Sequence, residues 1–431
     1  MAKETAFVQR EGKINGTNFF DLIIFNNENL KDQSLNDLSI DLSEKYEVEI
    51  TKQSLQNRFT ENALAFLKKA LEKLLNQQVN IKLLFPMANQ FNRILIKDSV
   101  CFQIDESLAD SYRGSGGAGS AAAIRIQFEY DLLNGRINDL SVNGFNSQDA
   151  TNSIETLELT QQGDLIIRDL AYMNLKVLKQ LIAKGVYYLA RLQHNVKVFE
   201  KNDNGFQELN FTDLRNYMKK YELKVCEKEV FIGAQDRLKT RLIIHLLPDD
   251  VVAQRLRKGQ QSNKKKGRKQ LSKEYKARAA LNLFITNASV DQIPMTNVDQ
   301  FYRLRWQIEL MFKIWKSLCN IDKVKKVKKE RFECYIYGKL IFIVFAWRIL
   351  WAVASLLYRM NNKAISYFKA FKTMLRAKLD QLRDILLQRT ESMSQFVIEF
   401  YNISKTKHLL EKKQQKSTSI EILVTCLNSK N

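Results

Sequence analysis

The sequence predicts an α/β protein: a core of strands and helices, interrupted by a strand-rich insertion and flanked by helical N- and C-terminal regions. Three observations carry this. Residues 93–192 follow the pattern strand, strand, strand, helix, strand, helix, strand. Residues 193–300 then supply further short β-patterned runs, ending in an apolar strand at 280–288. The ends of the chain show helical periodicity instead.

In chain order, residues 1–88 form the first helical region. Within it, "LSEKYEVEITKQSLQNRF" (42–59) is patterned as a short helix, a turn, Thr51 as N-cap and a second helix. Lys52, Gln53, Gln56, Asn57 and Arg58 occupy the outward face. That face suits phosphates and base edges, and the same pattern equally fits a helical hairpin packed on the main domain. Residues 89–192 are the first part of the core. "RILIKDSVCFQI" (93–104), "AIRIQFEYDLL" (123–133) and "RINDLSV" (136–142) are three strands, the last two joined by a tight Asn134–Gly135 turn. The small-residue run "YRGSGGAGSAAA" (112–123) lacks the Lys-Ser/Thr ending of a phosphate-binding loop and is expected to be a mobile loop. A short helix near 150–157, a strand at 164–169, a helix at 174–184 and a strand at 186–192 complete this part.

This order is that of a ribonuclease H-like core, in which the first and fourth strands are neighbours. Asp98 lies in the first strand and Asp169 ends the fourth, so their carboxylates are expected to converge. A third carboxylate then comes from a later helix. Residues 193–288 form the β-rich insertion, with runs such as "VKVFE", "LKVCEKEVFIGA" and "TRLIIHLL". It carries the segment 255–278, with eleven Lys or Arg against one Glu. A charge run is ordinarily a solvated loop, but this density predicts a disordered DNA-gripping arm centred on Lys264, Lys265, Lys266, Arg268 and Lys269.

Residues 289–360 bring the core back, starting with "FYRLRWQIELMFKIWK" (301–316). On a continuous helix, with Tyr302 at zero, Arg305, Glu309 and Lys316 fall at about −60°, −20° and −40°. One face therefore presents a carboxylate among a phenol and two cations. Leu304, Met311, Ile314, Trp315 and Leu318 form the buried stripe opposite. The apolar run 340–357 is long enough to span a membrane. Arg348 at its centre costs about 2.5 to 3.5 kcal/mol there, so a buried core helix is expected. In the last region, 361–431, "YFKAFKTMLRAKLDQLRDILL" (367–387) is an amphipathic helix with a basic face. It fits either packing within the chain or pairing of two protomers.

Composition narrows the chemistry. A net charge of +21 points to a polyanionic partner, nucleic acid before membrane. Five scattered cysteines and three isolated histidines offer no zinc or disulfide framework and no imidazole triad, which leaves carboxylates for catalysis. The N-terminus lacks an apolar signal region, so a cytoplasmic protein is expected.

The spacing Y-x2-R-x3-E-x6-K is met by Tyr302, Arg305, Glu309 and Lys316, after "ILIKDSV" around Asp98 and "IRDLAY" around Asp169. These motifs, with "LFITNA" before the helix, resemble the DDE transposases of bacterial insertion sequences, in the branch with the Tyr-Arg-Glu-Lys signature. The resemblance covers about 90 to 350. It implies a metal triad of Asp98, Asp169 and Glu309 holding two Mg²⁺ ions, with Mn²⁺ substituting, and no organic cofactor. It further implies cutting at terminal inverted repeats, excision through a hairpin on the transposon end, and joining of the freed 3′ ends to target DNA. Arg305 and Lys316 would clamp phosphates, Tyr302 would position the backbone, and a homodimer would hold the two ends near the bacterial nucleoid. The insertion would help hold the transposon end. One departure stands out: all four tryptophans lie at or beyond the signature helix. Either Phe284, Tyr275 or another ring stacks on a flipped base, or flipping is handled differently. The rival readings are a nuclease or resolvase without strand transfer, and a silent transposase-derived DNA-binding protein.

Overall fold

The computed structural model of the protein describes all residues except 11, 27–32, 78–89, 117–118, 147–148, 173, 194–195, 266, 268–269, 388–391, 412–417 and 428–431. The chain begins with α1 (Gly16–Phe25), α2 (Leu35–Tyr46), α3 (Lys52–Gln56) and α4 (Glu61–Asn76). Three strands follow: β1 (Ile94–Gln103), β2 (Ala123–Asp131) and β3 (Ile137–Gly144). Next come α5 (Asp149–Glu155), β4 (Leu165–Arg168), α6 (Leu175–Ala183) and β5 (Tyr187–Arg191). The insertion contributes β6 (Val198–Asn202), β7 (Gly205–Glu208), α7 (Phe211–Lys220), β8 (Val225–Ile232), β9 (Leu238–Leu246), α8 (Asp249–Lys265) and α9 (Lys273–Ala279). After β10 (Leu281–Thr286) the chain is helical: α10 (Val298–Arg303), α11 (Trp306–Ser317), α12 (Lys329–Asn361), α13 (Tyr367–Ala377), α14 (Leu379–Leu386), α15 (Met393–Lys407) and α16 (Ser419–Leu427).

These elements fall into two compact units. The first comprises 1–85, 99–147 and 306–420; the second comprises 86–98, 148–305 and 421–431. The first is organised around α12, against which α1, α4, α13 and α15 pack. Apolar on all sides, such a helix requires burial all round. Its most apolar window is 78% buried, as expected for 340–357. Half-buried Arg348 donates to the Gln77 carbonyl at 3.0 Å. The buried faces of α13 (Ala370, Phe371, Met374, Leu375) and α15 (Phe396, Phe400) are spent within the chain. The expected single helix over 367–387 is broken at Lys378, where the backbone leaves helical geometry.

In the same unit the β2–β3 turn docks on α12. Gly135 takes φ +68°, and its carbonyl accepts from Trp347 Nε1 at 3.0 Å. A Cβ at this position would come within 2.2 Å of the Trp351 ring. Gly135→Ala is therefore expected to destabilise the protein by at least about 2 kcal/mol, from the left-handed backbone and the clash together, measurable by chemical denaturation.

The strand order is β3-β2-β1 in the first unit and β1-β4-β5-β10-β9-β8-β6-β7 in the second, with β1 divided between them at Asp98/Ser99. β1, β4 and β5 are parallel, and β10 and β9 continue antiparallel from β5. The strands of the insertion thus prolong the sheet of the second unit. Alternate residues, among them Leu95, Ile166, Tyr188, Ile285 and Ile244, build one core with α6 (Val177, Leu178, Leu181) and α7 (Phe211, Leu214, Met218).

Candidate active site

In the second unit, Asp98 and Asp169 come to neighbouring positions. The parallel β1–β4 register pairs Ile94 with Leu165 and Lys97 with Arg168, so the next residues across the strands are the two aspartates. Both are half-buried. The residue before each is a fully buried cation. Lys97 Nζ donates to Thr156 Oγ1 at 2.9 Å, and Arg168 Nη1 to Ser153 Oγ at 2.7 Å. The hydrogen bonds offset part of the desolvation cost of these buried cations. Asp98 itself is paired with Arg305 at 2.8 Å, with side-chain exposures of 23% and 11%. In so dry a setting a guanidinium–carboxylate bond is strong.

Tyr302 is buried beside them. Its ring lies 5.2 Å from that of Phe284, and the Arg191 guanidinium sits over it, also at 5.2 Å. Burial pushes its phenol pKa up, and the Asp169 carboxylate adds to this. Arg191, at the end of β5, also lines a cavity of about 550 Å³ with Asn174, Lys176 and Gln193. Sequence reasoning missed Lys97, Arg168 and Arg191. A cation directly before each aspartate, inside an apolar strand, was a legible signal for the first two. Arg191 has none, because its partners come from distant segments.

In the first unit, α11 carries Glu309 in its first turn and Lys316 in its last, both half-buried. Residues 301–316 are not one helix: α10 ends at Arg303, and Leu304 and Arg305 form a turn with tightened bonds to Phe301 and Tyr302. The continuous helix expected over 301–316 is corrected accordingly. Met311, Ile314 and Trp315 are buried as expected, as is Leu304 in the turn. Trp306 is 58% exposed, whereas Phe284 is fully buried and unable to receive a base.

The nearby alternative carboxylates have structural tasks. Asp164 is buried and holds Arg93 at 2.6 Å and the Gln161 amide at 2.7 Å. Asp105 caps a short turn by accepting from the Ser107 amide and hydroxyl, which lowers its pKa. Of the proposed DNA contacts, Lys52 is exposed and Arg58 half-buried, while Gln56 accepts from Arg331 at 3.3 Å. The second helix of the 42–59 motif, α3, is only five residues long. The basic arm is not disordered where it is described: Lys264 and Lys265 are exposed at the end of the 17-residue α8, and Ser272 caps α9. The segment is rich in good helix formers, and Asp249 and Asp250 favour its first turn. Lys266, Arg268 and Lys269 lie outside the described residues.

The sequence profile of the Transposase DDE domain matches residues 89–345. The chain is 32% identical to the transposase for insertion sequence element IS231E of Bacillus thuringiensis subsp. finitimus, over 98% of this chain and 89% of that one. It is 30% identical to the transposase for insertion sequence element IS1151 of Clostridium perfringens, over 87% and 82%. The chain belongs to the DDE transposase family of insertion sequences. As a member, this transposase is an enzyme that acts on DNA.

The family works with divalent metal ions. Among the described residues of this transposase, no three His, Cys, Asp or Glu side chains gather as a metal cluster. Asp98 and Asp169 nevertheless fit such an ion: both are oxygen donors, partly open to solvent, at neighbouring positions on parallel strands. Hard oxygen ligands of this kind suit Mg²⁺ or Mn²⁺.

Proposed function

We propose that this transposase cuts at the terminal inverted repeats of its insertion sequence and joins the freed 3′ ends to target DNA, by cut-and-paste through a hairpin on the transposon end. The observation that carries this reading is the juxtaposition of Asp98 and Asp169 with Arg305 bonded to the former. Asp98, Asp169 and Glu309 would hold two Mg²⁺ ions, which would supply charge stabilisation for an in-line phosphoryl displacement. Mn²⁺ substitutes. Arg305 and Lys316 clamp phosphates, and Tyr302, buried under Arg191, fixes the turn that presents Arg305. Trp306, the exposed ring of the signature, is the stacking surface for a displaced base. The order β3-β2-β1 in the first unit and the parallel order β1-β4-β5 in the second support a ribonuclease H-like core. On this reading residues 193–288 are its insertion, 1–88 contact end DNA and 361–431 complete the fold. A homodimer holds two ends, and the protein acts in the bacterial cytoplasm on nucleoid DNA.

A labelled terminal repeat, a target plasmid and Mg²⁺ test this. Joined products are expected. Cut ends without joining would assign a nuclease, and a mobility shift without cleavage would assign a silent DNA-binding protein.

A further inference from the structure

The link between α11 and α12 contains the run "KVKKVK" (323–328), which the functional reading above leaves unused. All of its contacts described here lie within the first unit. Its backbone is neither helix nor strand, and it alternates in environment: Val324 and Val327 are half-buried, whereas Lys323, Lys326 and Lys328 are exposed. Lys325 does not join the exposed set. Its Nζ donates to the Gln33 carbonyl at 3.1 Å and tacks the run to the N-terminal region.

Just past the run, α12 reaches the N-terminal helices. Lys329 stands 3.9 Å from Glu61, and Arg331 bonds Gln56 of α3. Gln56 is the last residue of α3, the helix that Lys52 opens. Lys326, whose side chain is 73% exposed, stands 3.9 Å from the Asp105 carboxylate. A pair that loose and wet contributes little and exchanges readily for a phosphate.

We propose that residues 323–328 form a strap that grips the phosphates of duplex DNA without reading its sequence. A strap tacked at Lys325 and turned inward at two valines presents its lysines with less disorder to lose than a free tail. The exposed lysines of the run, Lys323, Lys326 and Lys328, sit on irregular backbone. This places phosphate contact, rather than base readout, on the strap.

The inference rests on the reading that this chain binds DNA, and the test separates the two. Binding of the full-length protein to a duplex of unrelated sequence is measured by fluorescence anisotropy from about 50 to about 200 mM salt. Replacing Lys323, Lys326 and Lys328 together by Gln should flatten the logarithmic salt slope by about 2.7, at roughly 0.9 for each phosphate released. The wild-type affinity should then fall roughly 40-fold more than the variant's across that range. The corresponding triple Arg variant should keep the wild-type slope, which separates charge from fold. An unchanged slope in the Gln variant, with binding intact, would overturn the strap. So would a loss confined to the terminal repeat. A wild-type protein that binds no duplex would overturn the DNA reading and the strap with it.

Discussion

Replacing Asp98, Asp169 or Glu309 by its amide is expected to lower both strand cleavage and strand joining by about 1,000-fold or more, equivalent to roughly 4 kcal/mol of transition-state stabilisation. The amide keeps the shape of the side chain but removes the charge that holds a divalent cation. Binding to terminal-repeat DNA should stay near the wild-type level, because its phosphate contacts come from lysines and arginines elsewhere. Asp105→Asn is the control. Its carboxylate caps a turn at Ser107, so the variant should remain active. Arg305→Ala should behave differently from both. It removes the cation bonded to Asp98, and should impair positioning of the DNA with the three carboxylates still present. End-labelled substrate resolved on a denaturing gel reads all of these. An active Glu309→Gln would make the signature helix an ordinary amphipathic one.

Trp347→Ala should have the largest effect on stability. The indole is 2% exposed, donates to the Gly135 carbonyl, and packs against Tyr130, Trp351 and Tyr367 at centroid distances of 5.4, 5.8 and 4.8 Å. Truncation leaves a cavity where α12, the β2–β3 hairpin and α13 meet. A loss of about 3 to 5 kcal/mol is expected, lowering the melting temperature by roughly 3 to 6 °C in scanning calorimetry. A shift of only a degree or two would mean that the hairpin and α12 are not coupled through this side chain.

Much of this architecture was legible in the sequence, because it is written in local patterns. The β2 and β3 strands alternate as a hairpin should, and Asn134–Gly135 marks their turn. Thr51 and Asn174 accept from backbone amides at the helix starts that their identities announce. The adjacency of Asp98 and Asp169 followed from the order of elements. What the sequence could not disclose depends on partners distant along the chain. The break between α10 and α11 has no glycine or proline to signal it. The turn is instead accompanied by Arg305 reaching Asp98 and by Tyr302 packing on Phe284. The helices α8 and α9 were hidden under the charge of residues 255–278, whose composition alone suggested disorder. Arg255 bonds the carbonyls of Ala279 and Leu281 and the Asn282 side chain, and so ties that segment to β10. Charge density did not disclose the conformation.

The central claim is that Asp98, Asp169 and Glu309 together hold the metal ions. Loading the protein–DNA complex with Fe²⁺ in place of Mg²⁺, then adding ascorbate and peroxide, generates hydroxyl radicals that cut the polypeptide beside the bound ion. Mass spectrometry of the fragments should locate cuts next to Asp98, Asp169 and Glu309, suppressed by excess Mg²⁺. Cuts beside Asp105 or Asp164, with none near Glu309, would contradict the account.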